Sequence, residues 1–149
     1  MRRTLAILIL AACTTRAAPA KNMELPVGAV RFETPRGPWV VRVEIANTEE
    51  ARTRGLMFRR DVPQDHGMVF VFPTTEEHSF WMHNTLVALD MIFLGEDRRV
   101  AGVVTAAPMT DTLRSVRKPS RYVVEVSAGE AAAHAVGPGT RAAFIDVPE

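Results

Sequence analysis

The chain has 149 residues, with 18 basic against 17 acidic side chains and a formal net charge of +1. This length supports one domain whose core is large enough to fold without disulfides. The near-neutral balance gives no indication of nucleic-acid binding, and the single cysteine, Cys13, excludes an internal disulfide.

Residues 1–12 have the pattern of a bacterial signal peptide. Arg2 and Arg3 are followed by an apolar run that is too short to cross a bilayer as a helix, which needs ~20 apolar residues. The sequence LAAC that ends at Cys13 resembles a lipobox, so we predict cleavage before Cys13 and a lipid anchor on the periplasmic side of a bacterial membrane. The alternative is a secretory signal cut after Ala20, which leaves a soluble periplasmic or secreted protein.

Residues 13–26 have no hydrophobic period and are rich in small residues and proline, which predicts a tether. Residues 27–149 form the predicted domain, and its pattern is mainly that of strands. The sequence PRGP at residues 35–38 predicts a hairpin between the first two of them. The predicted strands are residues 30–34, 39–45, 67–72, 79–82, 90–94, 99–105, 122–126 and 141–147.

Two short helices interrupt the strands. The first is predicted to begin after an N-cap at Asn47, and Ala51, Gly55 and Phe58 fall at helical spacing along it. The second is predicted over residues 130–136, where glycine and proline end it. Together these elements predict a compact, β-rich α+β single domain, an antiparallel barrel or sandwich with two short helices.

Four motifs then occur in order: RTRGLMFR from residue 52, GMVFVF from residue 67, FWMHNT from residue 80 and LDMIF from residue 89. Together they resemble the bacterial and archaeal family called domain of unknown function 192 (DUF 192). The family motif often has lysine where this chain has His83. The resemblance implies a compact β-rich fold and frequent export, and it implies no activity and no catalytic residue.

Residues 78–94 combine a dense apolar pattern with a few polar side chains. We expect residues 79–82 to form a strand that is covered on both faces, with Asn84 and Asp90 at strand ends. In one interpretation these two side chains satisfy backbone N–H groups. In the other, a groove for a sugar-like or peptide-like ligand forms from aromatic, amide and charged groups. The candidate groove residues are Arg54, Trp81, His83, Asn84 and Asp90.

Two chemical alternatives are open, although no catalytic residue, metal site or cofactor is predicted. A small hydrolase-type enzyme could use Asp90 with a second carboxylate, Glu76 or Glu77. A periplasmic Cu(I)-binding protein could use imidazole and thioether ligands. The candidate copper ligands are His66, Met68, Met82 and His83, although the methionines also fit the pattern of core residues.

Residues 112–121 contain four basic side chains and no acid. Such a run is typical of a solvated loop, and the alternative is a contact with anionic lipid headgroups or phosphorylated glycans near the anchor. The candidate anionic contact residues are Arg114, Arg117, Lys118 and Arg121.

The sequence therefore predicts an exported, lipid-anchored envelope domain that acts as a non-catalytic binding or interaction module. Its predicted partners are the membrane, through lipidated Cys13, and a glycan, a peptide or an envelope protein. Nucleic acid is not among them.

Overall fold

The computed structural model describes residues 24–148, so the predicted signal peptide, Cys13 and all but the last three residues of the predicted tether lie outside the described residues. Within residues 24–148 the chain forms seven strands and two short helices, which confirms the predicted β-rich α+β domain. The elements in chain order are β1 (Val27–Thr34), β2 (Gly37–Ala46), α1 (Glu49–Arg54), β3 (His66–Glu77), β4 (Leu89–Leu94), β5 (Val100–Ala106), β6 (Pro119–Ser127), α2 (Glu130–Ala133) and β7 (Arg141–Ile145).

The strands form one curled sheet in the order β5-β4-β6-β3-β2-β1-β7. Neighbouring strands are antiparallel except β2 and β3, which run parallel because α1 crosses from one to the other. The sheet forms a half-barrel, and its two edges approach each other at an isolated bridge between Arg99 and Arg141. The predicted antiparallel fold thus contains one parallel pair, at the position where the first helix lies.

The central strands are buried on both faces, and each face has its own apolar core. The core inside the curl takes side chains from all seven strands and from α2. The second core lies on the opposite face, beneath α1 and residues 80–87. Because side chains alternate along a strand, Val124 and Val126 of β6 face the first core, whereas Val123 and Glu125 face the second.

Helix α1 lies close to the sheet because its inner side chains are small. Ala51 is buried, and Gly55 ends the helix at a positive φ of 47°. A Cβ atom at Gly55 would lie 3.2 Å from the Phe70 ring, so glycine allows both the backbone turn and the close approach. The N-cap is Thr48, one residue later than predicted, and its hydroxyl accepts a hydrogen bond from the N–H of Ala51.

Two sequence expectations are wrong in this region. Phe58 does not extend the buried helix face, because α1 ends at Arg54 and Phe58 is 60% exposed. Residues 79–82 do not form a strand of the sheet, and only Phe80 makes an isolated bridge, to Arg114. This segment folds over the sheet instead of joining it, so Met82 is buried while Trp81 is 48% exposed. The expected burial of both faces is therefore absent.

Helix α2 is shorter than predicted, with four residues followed by irregular turns. Neither helix in residues 24–148 is long and apolar enough to span a membrane.

Candidate functional site

A cleft of about 310 Å³ lies between α1 and the chain that follows β3. We term it the α1 cleft. Its size is at the lower end of the range of about 300–1,000 Å³ typical of small-molecule sites. The helix side is formed by Glu49, Arg52, Thr53, Arg54, Gly55, Leu56 and Met57, the opposite side by Phe72, His78, Ser79, Phe80, Trp81 and Thr85, and the floor by Phe70 and Glu125.

The side of the α1 cleft opposite the helix is mainly aromatic. Phe80 lies edge-on to Phe70, with ring centroids 5.0 Å apart, and edge-on to Phe72 at 6.2 Å. The His78 ring stacks on Phe72 at 3.6 Å, and the Arg52 guanidinium lies 5.4 Å from the centre of the same ring. Edge-to-face and stacked pairs of this kind hold rings in fixed orientations. The cleft therefore has preformed apolar walls.

Two side chains of the cleft, Arg52 and His78, differ in whether their nitrogen atoms have hydrogen-bond partners. The Nη1 group of Arg52 donates a hydrogen bond to the carbonyl of Val71 at 2.9 Å. The Nε2 atom of His78 is buried and has no hydrogen-bond partner within residues 24–148. Burial lowers the pKa of His78, and the nearby backbone of Thr74 acts in the opposite direction but more weakly. His78 thus places a neutral imidazole in the cleft wall at neutral pH.

Glu125 is the unusual group on the floor. It lies on β6 directly opposite Met68 of β3 and Met91 of β4, and both methionines are buried. The Glu125 side chain has no hydrogen-bond or ion-pair partner in the part of the chain that the structure describes, and the residue is 4% exposed. Burial raises the pKa of Glu125 to about 8, because the ionised carboxylate loses more from the removal of water than the neutral acid does.

The structure brings together only part of the candidate groove. Arg54 and Trp81 line the α1 cleft. His83 lies beside Trp81, with ring centroids 5.2 Å apart, and its Nδ1 pairs with Asp111 at 2.8 Å. Asn84 occupies a turn at a positive φ of 52°, where asparagine is favoured. These two residues lie next to the cleft but do not line it.

Asp90 faces the opposite side of the sheet. It pairs with Val126 on β6 and is 1% exposed. One carboxylate oxygen accepts hydrogen bonds from the backbone N–H groups of Gly129 and Ala131, and the other accepts one from the Thr105 hydroxyl. This is the arrangement that the backbone-satisfying interpretation predicts. Asp90 is separated from the α1 cleft by the sheet itself.

The proposed acid pair for an enzyme does not meet. Glu76 pairs with Ser120 on β6, whereas Asp90 pairs with Val126, which places the two acids about 20 Å apart along the strands. Carboxylate pairs for glycoside-type hydrolysis need about 5–10 Å. Glu77 is next to Glu76 and accepts a hydrogen bond from the Ser115 hydroxyl.

The candidate copper ligands do not converge either. Met68 and Met82 are buried in the core beneath α1. His66 and His83 are exposed, and their Nδ1 atoms contact the Gln64 carbonyl and Asp111. Within residues 24–148, no three side chains among histidine, cysteine and the acids are grouped as a metal site.

The basic segment is partly tied to the protein. Lys118 donates a hydrogen bond to the Ala101 carbonyl, and Arg121 donates one to the Pro73 carbonyl. The Arg114 backbone pairs with Phe80, while Arg117 is exposed at a positive φ of 53°. Two of the four cations are therefore already engaged with backbone oxygens.

Sequence reasoning did not identify Glu125 or His78 as site residues. Glu125 stands in the sequence YVVEV, where a lone acid suggests the wet face of a strand. The signal that was available is the flanking run of β-branched residues, which is typical of a strand buried on both faces. An acid inside such a run is a candidate functional group.

The fold and the site together define a small β-rich domain with a preformed cleft that has a buried acid, Glu125, on its floor. The chain belongs to the DUF192 family, described as Uncharacterized ACR, COG1430, whose model matches residues 31–144. It is 34% identical over 99 residues to a UPF0127 protein of Thermococcus kodakarensis, covering 65% of this chain and 60% of that one. It is 31% identical over 96 residues to a UPF0127 protein of Thermococcus sibiricus, covering 61% and 58%. The match thus spans about three fifths of the length of these relatives.

Two solved structures are similar along most of their length. One, described as a candidate transcription regulator of Sinorhizobium meliloti 1021, superposes with a TM-score of 0.79 at 34% identity and covers 82% of this chain and 96% of that chain. The other, a protein of unknown function from Novosphingobium aromaticivorans DSM 12444, has a TM-score of 0.79 at 32% identity and covers 93% and 99%.

Proposed function

We propose that this protein is an exported, lipid-anchored binding module that holds a small ligand in the α1 cleft and performs no reaction on it. The observation that carries the ligand site is the buried carboxyl of Glu125, which has no partner in the described part of the chain and lies on the floor of a cleft with one aromatic wall. Polar groups buried without partners are rare and destabilising, so such a group on the floor of a cleft is a candidate for contact with a ligand.

The carboxylates predicted for hydrolysis, Asp90 with Glu76 or Glu77, do not line the α1 cleft, where Glu49 and Glu125 are the acids, and this favours binding over the predicted hydrolysis. Asp90 faces the other side of the sheet and is fully engaged, and Glu76 is exposed at the far end of β3. The exposed Trp81 at the cleft edge supplies a flat apolar surface of the kind that sugar rings and peptide side chains contact.

Export and anchoring rest on the sequence of the N-terminus. A lipoprotein signal is supported by Arg2 and Arg3, by the apolar run over residues 5–12 and by the LAAC sequence ending at Cys13.

Labelling cells with radioactive palmitate tests this proposal. We expect the wild-type protein to be labelled and to fractionate with membranes, and Cys13→Ala to lose the label. A soluble wild-type protein whose mature N-terminus is Lys21 would contradict it.

The ligand site is tested with the purified protein and a panel of short glycans, tripeptides and small aromatic amines. We expect at least one class to shift the backbone amide resonances of Arg54, His78, Trp81 and Glu125 in a saturable manner. Trp81→Ala should weaken that binding roughly tenfold, since an aromatic contact contributes about 1–1.5 kcal/mol.

Leu113→Ala is the matched control, because Leu113 is also exposed, at 64%, but does not line the cleft. The proposed site would be overturned if the two substitutions weakened binding equally, or if the saturable shifts were confined to another surface. It would also be overturned if no member of the panel gave a saturable shift.

A further inference from the structure

The setting of Glu125 narrows the chemistry of the ligand. At the centre of the sheet, between Met68 and Met91, a valine or methionine would complete the apolar core. A carboxyl group in that position loses most of its hydration and gains no hydrogen-bond or ion-pair partner within residues 24–148. Its placement is explained if a bound molecule supplies the partner.

The cations already present do not fill that role. Arg52 donates to the Val71 carbonyl and lies against the Phe72 ring. The Glu125 side chain has no ion-pair partner within residues 24–148, and burial raises its pKa. Its carboxyl group can therefore pair with one cationic group from outside the protein.

The aromatic rings around Glu125 also favour a cationic ligand group. Phe70 and Phe80 present aromatic surface around the floor, whereas the Phe72 ring already contacts His78 and Arg52. An ammonium group is attracted to the face of an aromatic ring. A hard metal ion is less well suited, because it requires several oxygen ligands and Glu125 is the one carboxylate on the floor.

We propose that the α1 cleft binds a small organic amine, whose ammonium group pairs with Glu125 while its apolar part lies against Phe72, Phe80 and Trp81. This inference rests on the proposed function, because it requires the α1 cleft to be a ligand site.

The number of protons released on amine binding depends on the protonation state of Glu125 in the ligand-free protein. At neutral pH Glu125 is mainly protonated, since its pKa is raised to about 8. Forming the ion pair moves that proton to solvent, while the amine keeps its own. The other charged or titratable groups of the cleft are Glu49, Arg52, Arg54 and His78. Met68 and Met91, which flank Glu125, do not titrate.

The test uses 2-phenylethylamine and its neutral analogue 2-phenylethanol, with calorimetry in buffers of different ionisation heat. We expect the amine to bind with release of close to one proton near pH 7. Its affinity should rise roughly twentyfold between about pH 6.5 and about pH 8.5, as the ionised fraction of Glu125 increases. The alcohol should bind more weakly and without pH dependence.

Glu125→Gln keeps the shape and removes the ionisation. We expect it to lose the tight, pH-dependent binding of the amine and to keep the weak binding of the alcohol. If this variant fails to fold, proton release and the pH profile of the wild type still decide the question.

Equal affinity of the wild type for amine and alcohol, without proton release, would overturn the amine inference and leave the cleft as a site for a neutral ligand. The same inference fails, and the proposed function stands, if neither probe binds while a glycan or peptide of the panel occupies the cleft. No binding by the two probes and by the whole panel would overturn both proposals.

Discussion

The carboxylate of Asp90 accepts a hydrogen bond from the backbone N–H of Ala131 at 3.0 Å, across 41 residues of the sequence. The same oxygen accepts a second one from Gly129 at 2.9 Å. Asp90 therefore fixes the start of α2 to the start of β4. This contact explains why a carboxylate is buried beneath an apolar core without being part of the α1 cleft.

Asp90→Asn should lower the free energy of unfolding by roughly 1–3 kcal/mol, because the amide that replaces the carboxylate satisfies fewer of the three donors. Chemical denaturation measures this change. Asp111→Asn is the control, since Asp111 is exposed and its side chain pairs with the exposed His83. Equal unfolding midpoints for wild type and Asp90→Asn would contradict the structural role.

Glu125 should make the stability of the protein fall as the pH rises. The folded-state pKa of about 8 lies above the ordinary value of 4.5, so the folded protein holds a proton that the unfolded chain releases in this interval. The contribution of Glu125 to the free energy of unfolding is therefore largest below pH 4.5, and it decreases progressively up to about pH 8.

Glu125→Gln removes this dependence. We expect the stability of the variant relative to wild type to increase by about 3 kcal/mol between about pH 4.5 and about pH 7. Denaturation curves of both proteins across this interval measure it. A constant difference between them would mean that Glu125 is ionised in the folded protein and has a partner.

Copper retention should be weak. Because Met68 and Met82 are buried in the core and His66 and His83 contact other groups at the surface, the four side chains offer no common site. We expect the purified protein exposed to Cu(I) to keep less than about one equivalent after a competing chelator. Stoichiometric retention that is lost on changing His66 or His83 would reverse this conclusion.

The strands were predictable from sequence because their patterns are local. Alternation at Val41, Val43 and Ile45 and the PRGP turn define the first hairpin, and small residues at Ala51 and Gly55 indicate a helix held close to a sheet. The segment around Trp81 was not predictable. Its alternation resembles a strand, but the choice between joining the sheet and folding over it depends on which neighbours offer free backbone groups.

The candidate site was predictable only in part. Arg54 and Trp81 were placed together because charged and aromatic groups near motifs suggest a ligand surface, and both line the cleft. Glu125 was not found, because its burial depends on β6 lying between β3 and β4, which is a property of the sheet order and not of the local sequence. Asp90 was a groove candidate but lies on the other face of the sheet, and its backbone partners Gly129 and Ala131 lie 39 and 41 residues further along the chain.

The most direct measurement is the titration of the Glu125 side-chain carboxyl by carbon-13 NMR, in the free protein and with saturating 2-phenylethylamine. We expect the free carboxyl to titrate near pH 8, and the amine to lower that midpoint by more than about one pH unit, since an adjacent ammonium favours the carboxylate. Assignment is checked with Glu125→Gln, in which the signal is absent. A midpoint near 4.5 in the free protein, or one that the amine does not move, would contradict the account.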